Sequence, residues 1–410
     1  MNPAPPRGLL LACLLAQLAF GLLAMTVCLP SMPQWAASFG TTQAAVQLSF
    51  SGYVLTYGGL QLLYGPLSDR LGRKQVLMAG LALAGLGSVV AALAGSLPQL
   101  VAGRVLQGAG SAAGMVVGRA MVQDLFHGPQ RTRVMAYVGM VMGLCPPLAT
   151  VVGGQLHVHL GWQANFVLTA GLAGALLLAS WRLLPAHTAP APPPGGTPAP
   201  RPTAWFGALL AAYARLAREP GFLPYVALLS MTTATFYAFL AGAPLVLASQ
   251  GVGPEGVGMH ILCVPVAYVL GNYLTTHLAH RLGGGRIMQL GQGFTAGGLL
   301  LVLALGLAGW HTPLAFVLPL VLLGIGHGLL VPPALAGTVG LVPALAGSAA
   351  AVTGLMQQLT GALGGYAVGW FHHDGPVALG ALMLGFTGLG MLAQALLHAQ
   401  QRRPRMPAAP

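Results

Sequence analysis

The sequence predicts an all-α polytopic membrane protein, with twelve transmembrane helices in two halves of six, and three observations carry that reading. Hydrophobic residues make up 56% of the 410 and charged residues only 5%, with a mean hydropathy of +0.76. A soluble chain of this length could not cover its surface with so few charges. Twelve apolar runs follow one another, and a Pro-rich interruption separates the first six from the last six.

In order, the runs fall near 8–29, 43–64, 75–95, 98–122, 132–155 and 163–184, then 221–248, 257–279, 287–308, 313–335, 348–371 and 377–399. Each can cross about 30 Å of hydrocarbon. The chain divides into an N-terminal half (1–184), a cytoplasmic linker (185–220), a C-terminal half (221–399) and a tail (400–410). The linker core, PAHTAPAPPPGGTPAPRPTA, has no apolar periodicity and should be extended or disordered. The first run begins just after Arg7 and passes Cys28 without a small-residue cleavage pattern, which predicts a retained helix rather than a secretory signal.

With both termini cytoplasmic, all Lys and Arg except Arg104 and Arg119 fall on the cytoplasmic side, as the positive-inside rule requires. The formal charge of +12 is therefore dispersed by topology and does not indicate a nucleic-acid face. Trp35, Trp162, Trp181, Trp205, Trp310 and Trp370 sit near run ends, where an interfacial aromatic belt is expected. Cys13, Cys28, Cys145 and Cys263 lie inside apolar runs and read as packing residues, not disulfide partners or metal ligands.

The densest charge is in GPLSDRLGRKQV, from Gly65 to Val76. Gly65 and Pro66 should stop a helix, Gly72 should permit a tight turn, and Asp69 can cap the next helix. Arg70, Arg73 and Lys74 are then held at a membrane surface. The spacing of Gly65, Asp69, Arg70, Gly72, Arg73 and Lys74 resembles the loop between the second and third helices of major facilitator transporters. That resemblance implies a major facilitator fold and a conformational-switch role for these residues. The loop HLAHRLGGGRI repeats the pattern in the second half, with His280, Arg281, Leu282 and Gly283 in the places of Asp69, Arg70, Leu71 and Gly72. An internal duplication around a central cavity follows.

In the fourth run, LVAGRVLQGAGSAAG sets Arg104, Gln107, Gly108 and Ser111 on one helical face. An arginine at that depth must face protein or water. The segment resembles the family's fourth-helix motif, whose arginine is associated with proton or substrate coupling; a structural arginine bonded to carbonyls is the other reading. GRAMVQDLF resembles the bicyclomycin and chloramphenicol resistance (Bcr/CflA) exporters, which implies that Asp124 pairs with the Gly65 loop, most plausibly through Arg73. In GLCPPLATVVGG, Pro146, Gly153 and Gly154 match the exporter pattern, while Thr150 replaces a second expected proline. GWQANF (161–166) and AGSAAAVTGLMQQLTGALGG (346–365) extend the resemblance to both halves.

The branch usually carries an acid before a Leu-Pro pair in the first helix; here the pair is Leu29-Pro30 and the position is Thr26. The five acids, Asp69, Asp124, Glu219, Glu255 and Asp374, all read as peripheral. His327, between two glycines in LLGIGHGLLVPP, is the best substitute as a proton-coupling group, beside Arg104. Candidate substrate contacts are Thr26, Tyr53, Tyr57, Gln61, Gln107, Tyr237, Tyr268, Asn272, His327 and Gln357. Such an aromatic, largely uncharged set suits small amphipathic organic compounds.

The expected function is an inner-membrane secondary transporter that exports small hydrophobic drugs by alternating access, by proton antiport. An uncoupled or differently coupled metabolite carrier and a non-transporting, transporter-like receptor remain as alternatives. There is no HExxH, GxSxG or nucleotide-binding loop, so neither an enzyme nor ATP-driven transport is expected. No cofactor, metal, nucleic-acid or obligate protein partner is expected; the proton gradient is the energy source, and membrane lipid surrounds the chain.

Overall fold

The computed structural model describes residues 7–126, 128–185, 211, 213–279, 281–342, 345–371 and 375–402. The N-terminal part comprises α1 (Arg7–Thr26), a 3-10 turn at Leu29–Ser31, α2 (Met32–Ser38), α3 (Gln43–Leu71), α4 (Arg73–Ala92), α5 (Leu97–Leu125), α6 (Gly128–Leu160) and α7 (Gln163–Leu183). The C-terminal part comprises α8 (Phe222–Ser249), α9 (Pro254–Ile261), α10 (Cys263–Leu278), α11 (Gly284–Leu307), α12 (Pro313–Gly340), α13 (Ala346–Val368) and α14 (Pro376–Arg402). Among the described residues there is no strand. Most of the expected linker lies outside them; its residues 213–218 are helical.

Packing repeats between the halves. α5 lies against α4, α3 and α1, and α12 lies against α11, α10 and α8; α4 packs on α7 as α11 packs on α14. Small residues set these distances. A methyl on Gly87 of α4 would stand 2.4 Å from the Gln107 nitrogen of α5, and one on Gly298 of α11 would stand 2.6 Å from the Pro319 oxygen of α12. Helices in lipid gain little from hydrophobic exclusion of one another, so such close backbone approach does the holding.

Nine helical stretches among the described residues are long and apolar enough to cross a membrane, with α1–α2 and α9–α10 each forming one broken span. The other three expected spans, α3, α6 and α13, are 29, 33 and 23 residues long, enough to cross a bilayer. These three supply the seam between the halves, where α3 packs on α13 and α6 on α9. Gln47 Nε2 donates to the Ala241 carbonyl at 3.3 Å and Ser51 Oγ to the Ala362 carbonyl at 2.9 Å. A methyl on Gly154 would meet the Pro254 oxygen at 2.2 Å, and one on Gly369 the Ala44 Cα at 2.4 Å. Those contacts concentrate at the end of the molecule away from Gly72.

Three sequence expectations are corrected. Pro66 does not stop a helix: α3 runs through Gly65 and Pro66 to Leu71, and the turn comes at Gly72, whose φ is +94°. One missing N–H costs a single hydrogen bond, while Tyr64 Oη ties this stretch to the Ala109 carbonyl at 3.0 Å. Gly72, not Asp69, is the N-cap of α4, and no side chain caps it; the Asp69 side chain lies outside the described residues. Trp35 is not part of an interfacial belt. It is fully buried, its ring 5.6 Å from Trp162 and 6.1 Å from Phe166, while Trp181, Trp310 and Trp370 are exposed as expected.

Replacing Gly87 by Val should destabilise the fold by about 1–3 kcal/mol, because backbone rather than a flexible side chain stands in the way. Gly171→Val, where nothing lies within 4 Å, should leave the melting temperature in detergent unchanged. Equal melting of the two variants would contradict the packing described.

Candidate functional site

The charged turn is built from the ends of four helices. Arg73 Nε donates to Asp124 Oδ2 at 3.2 Å, and Arg73 Nη1 donates to Ser68 Oγ at 2.6 Å, which in turn donates to the Gly65 carbonyl at 2.8 Å. The Arg73 side chain is 9% exposed and that of Asp124 27%, so this pair is screened less than a surface pair. Lys74 takes a role that spacing does not reveal: its Nζ donates to the Trp181 and Leu184 carbonyls at 2.7 and 2.8 Å, capping the C-terminal end of α7. Arg70 is exposed.

Arg104 is fully buried at the break of the first span. α1 ends at Thr26, whose carbonyl would need the N–H that Pro30 lacks, and the carbonyls before it are left at a helix C-terminus. Arg104 Nη1 donates to the Ala24 carbonyl at 2.7 Å and to Gln107 Oε1 at 2.5 Å; Nη2 donates to the Met25 carbonyl at 3.3 Å. The guanidinium lies 4.3 Å from the Tyr53 ring centroid and 5.9 Å from that of Phe166. Charge is thus met by carbonyl dipoles and π faces, with no carboxylate among its partners in the described residues. The residue is in contact with exactly the type of groups that a structural clamp needs.

Thr26 and Thr150 converge on one oxygen. Thr26 Oγ1 donates to the Leu22 carbonyl at 2.9 Å and the Pro146 carbonyl at 3.3 Å, and Thr150 Oγ1 donates to the same Pro146 carbonyl at 2.8 Å. Gly153 makes the accompanying approach of α6 to α1, since a methyl there would lie 1.7 Å from the Val27 oxygen. Gln107 turns away from the seam: besides Arg104 it bonds Ser88 Oγ at 2.8 Å and Thr169 Oγ1 at 3.1 Å, with no exposed surface.

The remaining candidates fall into two groups. Tyr53 and Tyr57 stack at 5.9 Å on α3, the Tyr53 hydroxyl donating to the Gly21 carbonyl at 2.7 Å, while the buried Tyr57 hydroxyl has no partner among the described residues. Facing them, Tyr237 packs on Phe50 at 5.9 Å and donates to Gln358 Oε1 at 3.0 Å; Gln357 Nε2 donates to Thr233 Oγ1 at 2.9 Å. Phe50, Thr233 and Gln358 were not singled out from sequence, though Gln358 adjoins Gln357. The second group is set by α10 and α12: Gly328 of α12 packs directly on the backbone of Tyr268 and Asn272, and the Asn272 amide folds back on the Tyr268 carbonyl at 3.1 Å. His327, beside Gly328, is 5% exposed, 6.5 Å from the Phe236 ring, and has no hydrogen-bond partner among the described residues. Gln61 is partly exposed.

An apolar cavity of about 580 Å³ lies between α1 and α6, lined by Leu15, Leu23, Leu144, Cys145, Leu148 and their neighbours. Two larger ones lie along α11. None of these three is lined by the expected substrate contacts. His157 bridges Ser31 Oγ at 2.8 Å and Gln34 Oε1 at 2.9 Å. His372, His373 and Asp374 lie outside the described residues.

A family model described as Major Facilitator Superfamily matches residues 10–365. The chain is 29% identical over 392 residues to Multidrug resistance protein D of Escherichia coli (strain K12), covering 93% of each chain. It is 29% identical over 312 residues to a chloramphenicol resistance protein of Pseudomonas aeruginosa, covering 74% of this chain and 70% of that one. Among solved structures, the peptide transporter POT in complex with alafosfalin superposes with a TM-score of 0.76 at 17% identity, covering 97% of this chain and 95% of that one. A bacterial homolog of the human lysosomal transporter Spinster, inward-facing and unoccupied, gives 0.74 at 15% identity, covering 98% of each. At these identities the structural likeness shows the fold alone.

Arg104→Lys keeps the charge but cannot span both α1 carbonyls and Gln107 at once. The expected cost is about 2 kcal/mol, from hydrogen bonds to a charged group, read as a lower melting temperature of the detergent-solubilised chain. An unchanged melting temperature would exclude the clamp.

Proposed function

The chain belongs to the major facilitator superfamily, and from that premise we propose that it is a multidrug efflux carrier of the bacterial inner membrane. It moves small hydrophobic or amphipathic compounds outward by alternating access, with both termini in the cytoplasm. The observation that carries this reading is the mid-depth seam of Tyr57, Tyr237, Gln357 and Gln358, aromatic and amide-bearing without a carboxylate, between halves that meet through α3, α13, α6 and α9. Such a surface binds apolar bodies with a few polar groups and disfavours none by charge. Relatives named for drug and chloramphenicol resistance support the substrate class.

On this reading the contacts gathered away from Gly72 close the periplasmic end, and the structure is inward-facing. The Arg73–Asp124 pair and the Lys74 cap then brace the cytoplasmic end of the first half, and rearranging them accompanies opening and closure. Pro146, Gly153 and Gly154 let α6 bend and approach both α1 and α9.

Coupling is by proton antiport, and the group assigned to it is His327, a buried imidazole with no hydrogen bond among the described residues to hold it in one protonation state. Arg104 supports the cycle by holding the end of α1. A second reading, an uncoupled metabolite carrier, draws on one specific fact: Thr26, in the place of the expected acid, spends its hydroxyl on two backbone carbonyls.

Inverted vesicles bearing the chain should accumulate labelled chloramphenicol or a lipophilic dye when a pH gradient is imposed, and His327→Ala should flatten the pH dependence of that flux. Accumulation that ignores the gradient would favour the uncoupled carrier. No flux of any compound would favour a transporter-like receptor, and an unchanged pH profile in His327→Ala would remove the imidazole from coupling.

A further inference from the structure

The two halves differ at one repeated position, and the difference leaves a cavity. α4 and α11 each start directly after a turn glycine, Gly72 and Gly283, so that Lys74 and Gly285 are the second residues of equivalent helices. In the first half, Lys74 fills the space between α4 and α7 and donates to two α7 carbonyls. Gly285 cannot. Between α11 and α14 there is instead a cavity of about 760 Å³, lined by Gly285, Arg286, Gln289, Ala395, His398 and Ala399. Arg286 is exposed, and its guanidinium has no partner among the described residues.

A second cavity of about 790 Å³ shares Arg286 and Gln289 and runs on along α11 past Leu282, Leu290, Gly293 and Phe294 to Gly297 and to Leu322 of α12. Gly293 and Gly297 shape this trough, since a methyl at either would meet nothing within 4 Å. One end is therefore cationic and rich in donors, the remainder is apolar, and Arg286 joins them. α11 also opens at Gly283 without a side-chain cap, so the free amides of its first turn add positive potential at the same end.

We infer that this is a binding site for an anionic glycerophospholipid, with the phosphate held at Arg286 between Gln289 and His398 and an acyl chain laid along the trough. Charge complementarity selects an anionic headgroup, and the trough selects a lipid over a free anion. The site lies on the outer side of the second half, apart from the seam assigned to transport, and does not rest on that assignment.

The test is binding of phosphatidylglycerol, phosphatidylcholine and inorganic phosphate to the full chain in detergent, read by native mass spectrometry with melting temperature as the folding control. Phosphatidylglycerol should bind more tightly than phosphatidylcholine. Arg286→Gln should weaken it about fivefold. Gly285→Leu, which fills the headgroup cavity, and Gly293→Leu, which fills the trough, should weaken it through either end, whereas Arg281→Gln, at an exposed arginine outside both cavities, should not. Equal affinity for the two lipids, unchanged binding in all three cavity variants, or displacement of the lipid by inorganic phosphate alone would overturn the assignment.

Discussion

The first half is organised by one buried guanidinium. Pro30 forces the first span to break, and a broken helix in hydrocarbon leaves carbonyls that water cannot reach. Arg104 is the donor supplied for them, reaching Ala24 and Met25 from α5 while Gln107 ties it to Ser88 and Thr169 on α4 and α7. Desolvating a charge is costly, so the site offsets it with helix-end dipoles and the faces of Tyr53 and Phe166. Four helices are fixed by that single arrangement. Tyr53 is consequently held in place, and with it the Tyr57 ring that faces the second half.

The junction between halves follows a different logic. α3, α6 and α13 bury glycine, serine and glutamine against the facing half, while Leu55, Leu63, Leu144, Leu148 and Leu363 on their other sides stay exposed. Small residues let backbones approach and leave few side chains to interlock, and a surface of that kind can separate and close again at low cost. The contacts within each half are between closely fitted helices with paired polar groups. Rigid halves and a partible seam are the mechanical requirement of alternating access.

Much of this was legible in the sequence, and the exceptions are instructive. The spans and the Arg104 face could be read because charge is so rare in this chain, and the Arg73–Asp124 pairing followed from the resemblance of GRAMVQDLF to the Bcr/CflA exporters. Lys74 as a cap for α7 could not, because its partners are backbone carbonyls 107 and 110 residues away, and backbone leaves no compositional trace. Pro66 misled because proline is a local signal, whereas α3 is held by contacts along 29 residues. Trp35 misled because its position near a span end also fits a ring turned inward against Trp162 and Phe166. Gln107 shared a helical face with Arg104 as expected, but its amide serves α4 and α7 rather than the seam.

The central claim is that two rigid halves rock about the α3–α13 and α6–α9 seam. Spin labels at Gln155 and Met259 report the end that is closed here, and labels at Leu67 and Ala350 report the opposite end. Double electron–electron resonance on both pairs, across pH and with added drug, tests it directly. The account predicts opposed shifts, the first distance lengthening in the population where the second shortens. Distances that stay fixed, or that lengthen together, would contradict it.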